Sequence, residues 1–177
     1  MFDLTDKVAV ITGSSKGIGL SIAECMADAG AKVVISSRKQ DVCESAAEKI
    51  RQKGGEALAI PCNISRKEEL HKLIDETLAA WGRLDILVCN AAVNPYYGPM
   101  SKMSDEAYDK VMNSNVRSNF WLCNLAAPLM VEQGGGSIII VSSIGGNQGS
   151  ENLGVYGISK AADFALVRNL AVEWGPR

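Results

Sequence analysis

The 177-residue chain carries 18 Lys and Arg against 20 Asp and Glu, a formal net charge of −2, with no long basic run, which excludes a broad nucleic-acid surface and favours a small-molecule partner. With 47% hydrophobic residues, it is long enough to bury the core of one domain, residues 1–177. Its amino terminus, Met1-Phe2-Asp3-Leu4-Thr5-Asp6-Lys7, has no signal pattern, and no apolar stretch is long enough to cross a bilayer, so a cytoplasmic protein without a membrane partner is expected.

The predicted elements alternate. Lys7-Val8-Ala9-Val10-Ile11-Thr12 is a nearly continuous apolar strand of the kind buried on both faces. A helix follows over residues 17–29, ended by Gly30, then a strand over 31–36 and a helix over 41–53 that stops at Gly54-Gly55. A third strand covers 56–61. Ser65-Arg66-Lys67-Glu68 has the spacing of a capping box and heads a helix running to Trp81 and Gly82. The fourth strand covers 84–89. Ser104-Asp105-Glu106 opens a long helix over 104–133, in which Pro128 is expected to kink or break the last turns. A fifth strand at 137–142 and a helix at 155–174, stopped by Gly175-Pro176, complete the chain.

Apolar strands in strict alternation with helices predict an α/β, Rossmann-like doubly wound parallel sheet of order 3-2-1-4-5. Ligands bind such sheets beyond the carboxyl ends of the strands, where the order reverses between the first and the fourth. The five cysteines, Cys25, Cys43, Cys62, Cys89 and Cys123, have no Cys-x-x-Cys spacing and an odd total. That argues against zinc and a disulfide framework, and they read as reduced core or near-core residues. The lone His71 falls on a polar helix face, so no metal site is expected.

Thr12-Gly13-Ser14-Ser15-Lys16-Gly17-Ile18-Gly19 joins the first strand to the first helix, where backbone amides form a pyrophosphate cradle. Gly13 permits the tight turn, Gly17 lets the backbone approach phosphates, and Gly19 allows close packing of helix on strand; Ser15, Lys16 and Ile18 complete the turn. By itself such a turn reads equally well as a connection without a ligand. At the end of the second strand, NAD-selective folds place a carboxylate, whereas this chain has Ser36-Ser37-Arg38-Lys39. Arg38, with Lys16 and Ser37, matches a 2'-phosphate and favours NADP(H) over NAD(H); the alternative is that Arg38 and Lys39 are ordinary solvated charges. Tyr156 and Lys160 share one helix face. A free phenol, with a pKa near ~10, is a poor proton shuttle at neutral pH, and a nearby ammonium stabilises the phenolate. Ser143, thirteen residues before Tyr156 at the end of the fifth strand, is placed to polarise a carbonyl oxygen. A lone Tyr-x-x-x-Lys means little, but in this company and order it describes a nicotinamide-dependent oxidoreductase.

In these motifs the chain resembles the short-chain dehydrogenase/reductase family over essentially its whole length. The resemblance rests on Thr12-Gly13-x3-Gly17-Ile18-Gly19, on Asn90-Ala91-Ala92 after the fourth strand, on Asn115, and on Ser143, Tyr156 and Lys160. It implies Tyr156 as general acid/base, Lys160 as also holding the nicotinamide ribose, Ser143 as orienting substrate, and Asn115 as supporting a water-linked proton relay. Asn115 also reads as a helix-surface amide. Asn63, Ile64, Asn90, Ala91 and Ala92 would lie along the cofactor. Asn63 replaces the family's usual aspartate facing the adenine amino group, although its amide oxygen can still accept that bond. Ala92 replaces the commonest glycine and crowds the turn. The segment from Asn90 to Gly98 resembles the branch of NADPH-dependent carbonyl reductases that includes retinol dehydrogenase/reductases. Tyr96 and Tyr97 line a substrate mouth or pack within their own proline-bounded loop, and Glu151 and Asn152 are equally open.

Members of that family continue past the last helix with another strand, a substrate lid and a helix-strand unit, so this chain reads as a fragment with its C-terminal strands missing. Ile138-Ile139-Ile140-Val141 would then be an exposed apolar edge prone to aggregate, and the full-length form is expected to be a homo-oligomer. The expected function is an NADP(H)-dependent oxidoreductase interconverting a carbonyl compound and a secondary or primary alcohol. Alternatives are a truncated, non-catalytic nucleotide-binding or assembly module and a 3-oxoacyl-carrier-protein reductase, for which no basic docking patch is evident.

Overall fold

Five short apolar runs become a parallel sheet in the computed structural model, which describes residues 2–177. They are β1 (Val8–Thr12), β2 (Lys32–Ser36), β3 (Glu56–Ala59), β4 (Ile86–Cys89) and β5 (Ser137–Ile140), all parallel and ordered β3-β2-β1-β4-β5. The expected order therefore holds, and the chain reverses its direction of progress between β1 and β4. Every residue of β1 and of β4 is buried, which is why these strands show no polar alternation.

The connections are α1 (Gly17–Asp28), α2 (Gln40–Gln52), α3 (Lys67–Trp81), α4 (Asp105–Met112), α5 (Ser118–Glu132) and α6 (Gly154–Trp174). Because successive strand residues point to opposite faces, the sheet splits the core in two. Ala9, Ile11, Val33, Ile35 and Val88 meet Ala23 and Ala27 of α1 and Ala46, Ala47 and Ile50 of α2. Val10, Val34, Leu87 and Cys89 meet Leu70 and Leu73 of α3 and Leu122 and Ala126 of α5. Each large aliphatic side chain buried in this way contributes about 1.5–3 kcal/mol.

A buried carboxylate sets the start of β4 against β1. Asp85 accepts from the Val8 N–H at 2.9 Å, and the Arg83 guanidinium forks onto its two oxygens at 2.8 and 2.6 Å. Burial pushes the Asp85 carboxyl up, but Arg83, the Val8 N–H and Lys7 together outweigh it and hold the group below the usual carboxylate range.

Three expectations need correction. The long helix is interrupted by a π-helical turn at Asn113–Arg117 rather than at Pro128, which lies inside α5. Pro128 is tolerated because it and Asn124, one turn earlier, are both exposed, so water can reach the carbonyl that Pro128 cannot pair with. At the head of α3, Arg66 is the capping position and makes no side-chain cap. Ser65 instead lies 2.9 Å, Oγ to Oγ, from Ser114, while Glu69, one residue beyond the expected partner, accepts from the Asn63 N–H at 2.6 Å. The Ser104 cap of α4 does form, accepting from the Ala107 N–H at 3.2 Å. Finally, Cys25 is exposed, whereas Cys43, Cys62, Cys89 and Cys123 are buried.

Candidate functional site

The glycine turn lies over the reversal point between β1 and β4. Thr12 Oγ1 accepts from the Asn90 N–H at 3.0 Å and the Ala91 N–H at 3.1 Å, and Asn90 Nδ2 donates to the carbonyls of Thr12 at 2.9 Å and Gly13 at 3.3 Å. Asn90 and Ala91 thus brace the turn. A Cβ on Gly19 would stand 2.5 Å from both Asn90 Nδ2 and the Gly13 oxygen, so only glycine lets α1 begin this close to the strand. Gly17 differs: its φ is +60° and the place of its missing Cβ is open. The cap of α1, Lys16, supplies no side-chain acceptor to the first amides of the helix. Ser15 is half-buried, and Lys16, Gly17 and Ile18 are exposed beside it. Free helix amides under an open glycine fit the pyrophosphate of a dinucleotide.

Ser14 ties this turn to the end of β2, its Oγ donating to the Ile11 carbonyl at 2.6 Å and accepting from the Ser36 N–H at 2.9 Å. Just beyond, Arg38 and Lys39 are exposed. Ser37 Oγ lies 3.1 Å from Cys43 Sγ, so its hydroxyl already has a neighbour. Asn63 Oδ1 accepts from the Ser65 N–H at 3.2 Å, which orients its amide within its own turn. Ile64 packs on the α3 side of the core, and Ala92 is exposed after β4.

Tyr156 and Lys160 lie one turn apart on α6, with Lys160 Nζ 5.9 Å from the centroid of the Tyr156 ring. The end of β5 is strapped to this helix: Ser142 Oγ donates to the Lys160 carbonyl at 2.8 Å, and Lys160 Nζ donates to the Val141 carbonyl at 2.9 Å. Close approach continues at Gly157, whose Cβ would meet the Gly145 carbonyl at 2.6 Å, and at Gly146, whose Cβ would meet the α6 backbone at 2.8 Å. Ser143, half-buried, heads this glycine stretch and accepts from the Gly145 N–H at 3.1 Å. Tyr156 also borders a small recess with Asn94, Tyr96, Met103 and Asn152. Tyr96 donates to the Pro99 carbonyl at 3.0 Å, whereas Tyr97 is 73% exposed.

Asn115 is fully buried in the π turn, which contradicts its surface reading. It accepts from the Val93 N–H at 2.8 Å and donates to the Val93 carbonyl at 3.0 Å and Ser159 Oγ at 3.1 Å. Ser159 donates in turn to the Tyr156 carbonyl at 2.7 Å. Sequence reasoning passed over Asp163 and Asn119. Asp163 accepts from Lys160 Nζ at 3.0 Å and from Asn119 Nδ2 at 3.0 Å. Burial raises the Asp163 carboxyl, against the opposing pull of Lys160 and Asn119. The available signal was a lone acid in the apolar run Ala161-Ala162-Asp163-Phe164-Ala165.

A parallel sheet whose strand order reverses beneath a glycine-rich helix start defines a doubly wound, dinucleotide-binding type of protein. Residues 7–177 match the profile of the short chain dehydrogenase family, and the chain belongs to that family. It is 40% identical over 174 residues to "Dehydrogenase/reductase SDR family member 4" of Sus scrofa, covering 98% of this chain and 62% of that protein. Among solved structures, a 7 alpha-hydroxysteroid dehydrogenase complexed with NADH and 7-oxo glycochenodeoxycholic acid superposes with a TM-score of 0.94 at 38% identity, covering 98% of this chain and 68% of that one. A short-chain type dehydrogenase/reductase from Mycobacterium marinum gives a TM-score of 0.94 at 36% identity, covering 99% and 72%.

Proposed function

We propose that the chain carries the cofactor cradle and proton-transfer group of an NADP(H)-dependent oxidoreductase that interconverts a carbonyl compound and an alcohol. The observation that carries this reading is the Tyr156–Lys160 pair on α6, its ammonium 5.9 Å from the phenol ring, strapped to the end of β5 just before Ser143. The amides at Gly17 to Gly19 would hold the pyrophosphate, Asn63 and Ile64 would flank the adenine, and Asn90 to Ala92 would border the nicotinamide side. NADP(H), when bound, supplies or accepts a hydride. Tyr156 gives a proton to the substrate oxygen in reduction and takes it back in oxidation. Ser143 donates a hydrogen bond to that oxygen, and the Lys160 ammonium stabilises negative charge on the phenolate. Asn115 holds the start of α6 through Ser159 and supports the return of protons.

Exposed Arg38 and Lys16, with no carboxylate at the end of β2, favour the 2'-phosphate. The superposed hydroxysteroid dehydrogenase was solved with NADH, so the preference rests on this chain's own charges. The test is a fluorescence titration of this chain with NADPH and NADH, alongside turnover of small ketones and aldehydes. Tighter NADPH binding, lost in Arg38→Ala, and turnover lowered about 10²–10⁴-fold in Tyr156→Phe would support the reading. Equal affinity for both cofactors would sink the Arg38 argument, and turnover indifferent to Tyr156 would sink the chemistry.

A further inference from the structure

Two polar rungs cross from the π turn and α5 to α6. Asn115 reaches Ser159 at 3.1 Å, and Asn119, four residues on, reaches Asp163 at 3.0 Å. The second rung ends on Lys160. Asp163 divides its oxygens, Oδ1 accepting from Asn119 and Oδ2 from Lys160 Nζ at 3.0 Å, while the Val141 carbonyl takes a second N–H of the same ammonium at 2.9 Å. Asn119, Lys160 and Asp163 are 4%, 2% and 1% exposed. Cys89 of β4 and Cys123 of α5 lie close by. Cys123 and burial keep the Cys89 thiol well above its ordinary value, so it brings no charge.

A lysine ammonium has three N–H bonds, and two are committed to protein acceptors. The third is left for whatever stands beside the Tyr156 ring. Buried ion pairs contribute little net stability compared with apolar packing of the same volume, so folding alone gives a poor reason for a carboxylate here. Holding a long, flexible side chain in one rotamer is something an anchored carboxylate does well.

We infer that Asp163, itself oriented by Asn119, is a positioning residue that fixes the Lys160 ammonium so that its remaining N–H serves Tyr156 and the cofactor. This role rests on the oxidoreductase reading above. Asp163 touches neither substrate nor cofactor and acts through Lys160.

The test compares the parent chain with Asp163→Asn, Asp163→Glu, Asn119→Ala and Lys160→Met, each checked for a cooperative thermal transition. NADPH affinity is read by fluorescence, and kcat and KM by reduction of a small ketone. Asp163→Asn should lower kcat per folded molecule, or weaken NADPH where turnover is too slow to resolve, by about tenfold, with ketone KM nearly unchanged. Asn119→Ala should give a smaller loss of the same kind, and Asp163→Glu, which keeps the charge, should recover part of it. Removing a negative charge near a polyanionic cofactor would by itself tighten binding, so weaker binding singles out lost positioning. Parental kcat and NADPH affinity in Asp163→Asn, while Lys160→Met loses both, would overturn this inference and leave the oxidoreductase reading standing. A parent no better than Lys160→Met in either readout would overturn both. Should Asp163→Asn not fold, Asn119→Ala decides on the same readouts.

Discussion

Gly19 has no room for a methyl group, since its nearest neighbours include a backbone oxygen that cannot swing aside. Gly19→Ala should therefore destabilise the chain by about 1–3 kcal/mol through overpacking, read as a lower urea midpoint with unchanged slope. Gly17→Ala meets open space and bears only the strain of a positive φ, about 1–2 kcal/mol. On the function proposed above, its larger effect should be on NADPH affinity, because the added methyl group would stand where the phosphates would approach. Asp85 supplies a residue-scale test against pH. Its folded-state pKa lies below the ordinary value, so the folded protein binds that proton less readily than the unfolded chain. The resulting stability is fully present above the ordinary carboxylate range and is lost as pH falls through the folded value. Asp85→Asn should flatten that part of the acid limb in urea titrations between about pH 5 and 2, while lowering stability at neutral pH.

The π turn shows how one side chain can shape an element. Asn115 satisfies both backbone groups of Val93 and also reaches Ser159, so it ties the strand-four loop to α6. Asn115→Ala would strand buried donors and acceptors at about 1–3 kcal/mol for each unsatisfied group. The expected outcome is a marked fall in the urea midpoint, with faster amide exchange at Val93 and through the first turns of α6; exchange unchanged at both places would refute the tie. The sequence shows Asn115 as a motif residue but not the turn around it, because widening a helix by one residue leaves helical periodicity nearly intact on either side. Strands fared best: a continuous apolar run such as Val8 to Thr12 has one common fate in an alternating chain. The α3 cap was misread because Ser65 and Glu68 have the right spacing, and only tertiary contact assigns Ser65 to Ser114 and the back-reaching role to Glu69. Asp163 went unread for a related reason. Its partners Asn119 and Lys160 come from two helices, and the first is 44 residues away.

At the scale of the whole molecule, the sheet is protected on one side and open on the other. β3 is the edge strand beside β2 and carries Glu56 in an ion pair with Lys32 at 3.2 Å, and a charged side chain on an edge discourages further pairing. β5 pairs only with β4 in the described residues, and Ile139 is 43% exposed along it. Beside β5, Ile138, Met130, Val167, Leu170 and Trp174 line an apolar groove, and Trp174 Nε1 is buried there without a hydrogen-bond partner in the described residues. An unpaired row of backbone groups next to exposed isoleucine is a template for further strands. The 177-residue chain should therefore associate with rising concentration, read as growth of fast-sedimenting material in velocity runs. Ile139→Lys puts a charge on the exposed side of that edge and should suppress the growth. Because more than half of Ile139 is covered, the substitution should also lower stability, by about 1 kcal/mol, through the apolar area it uncovers. Association undiminished by Ile139→Lys would show that contacts elsewhere on the molecule drive it, with the α6 side of the groove the next surface to alter.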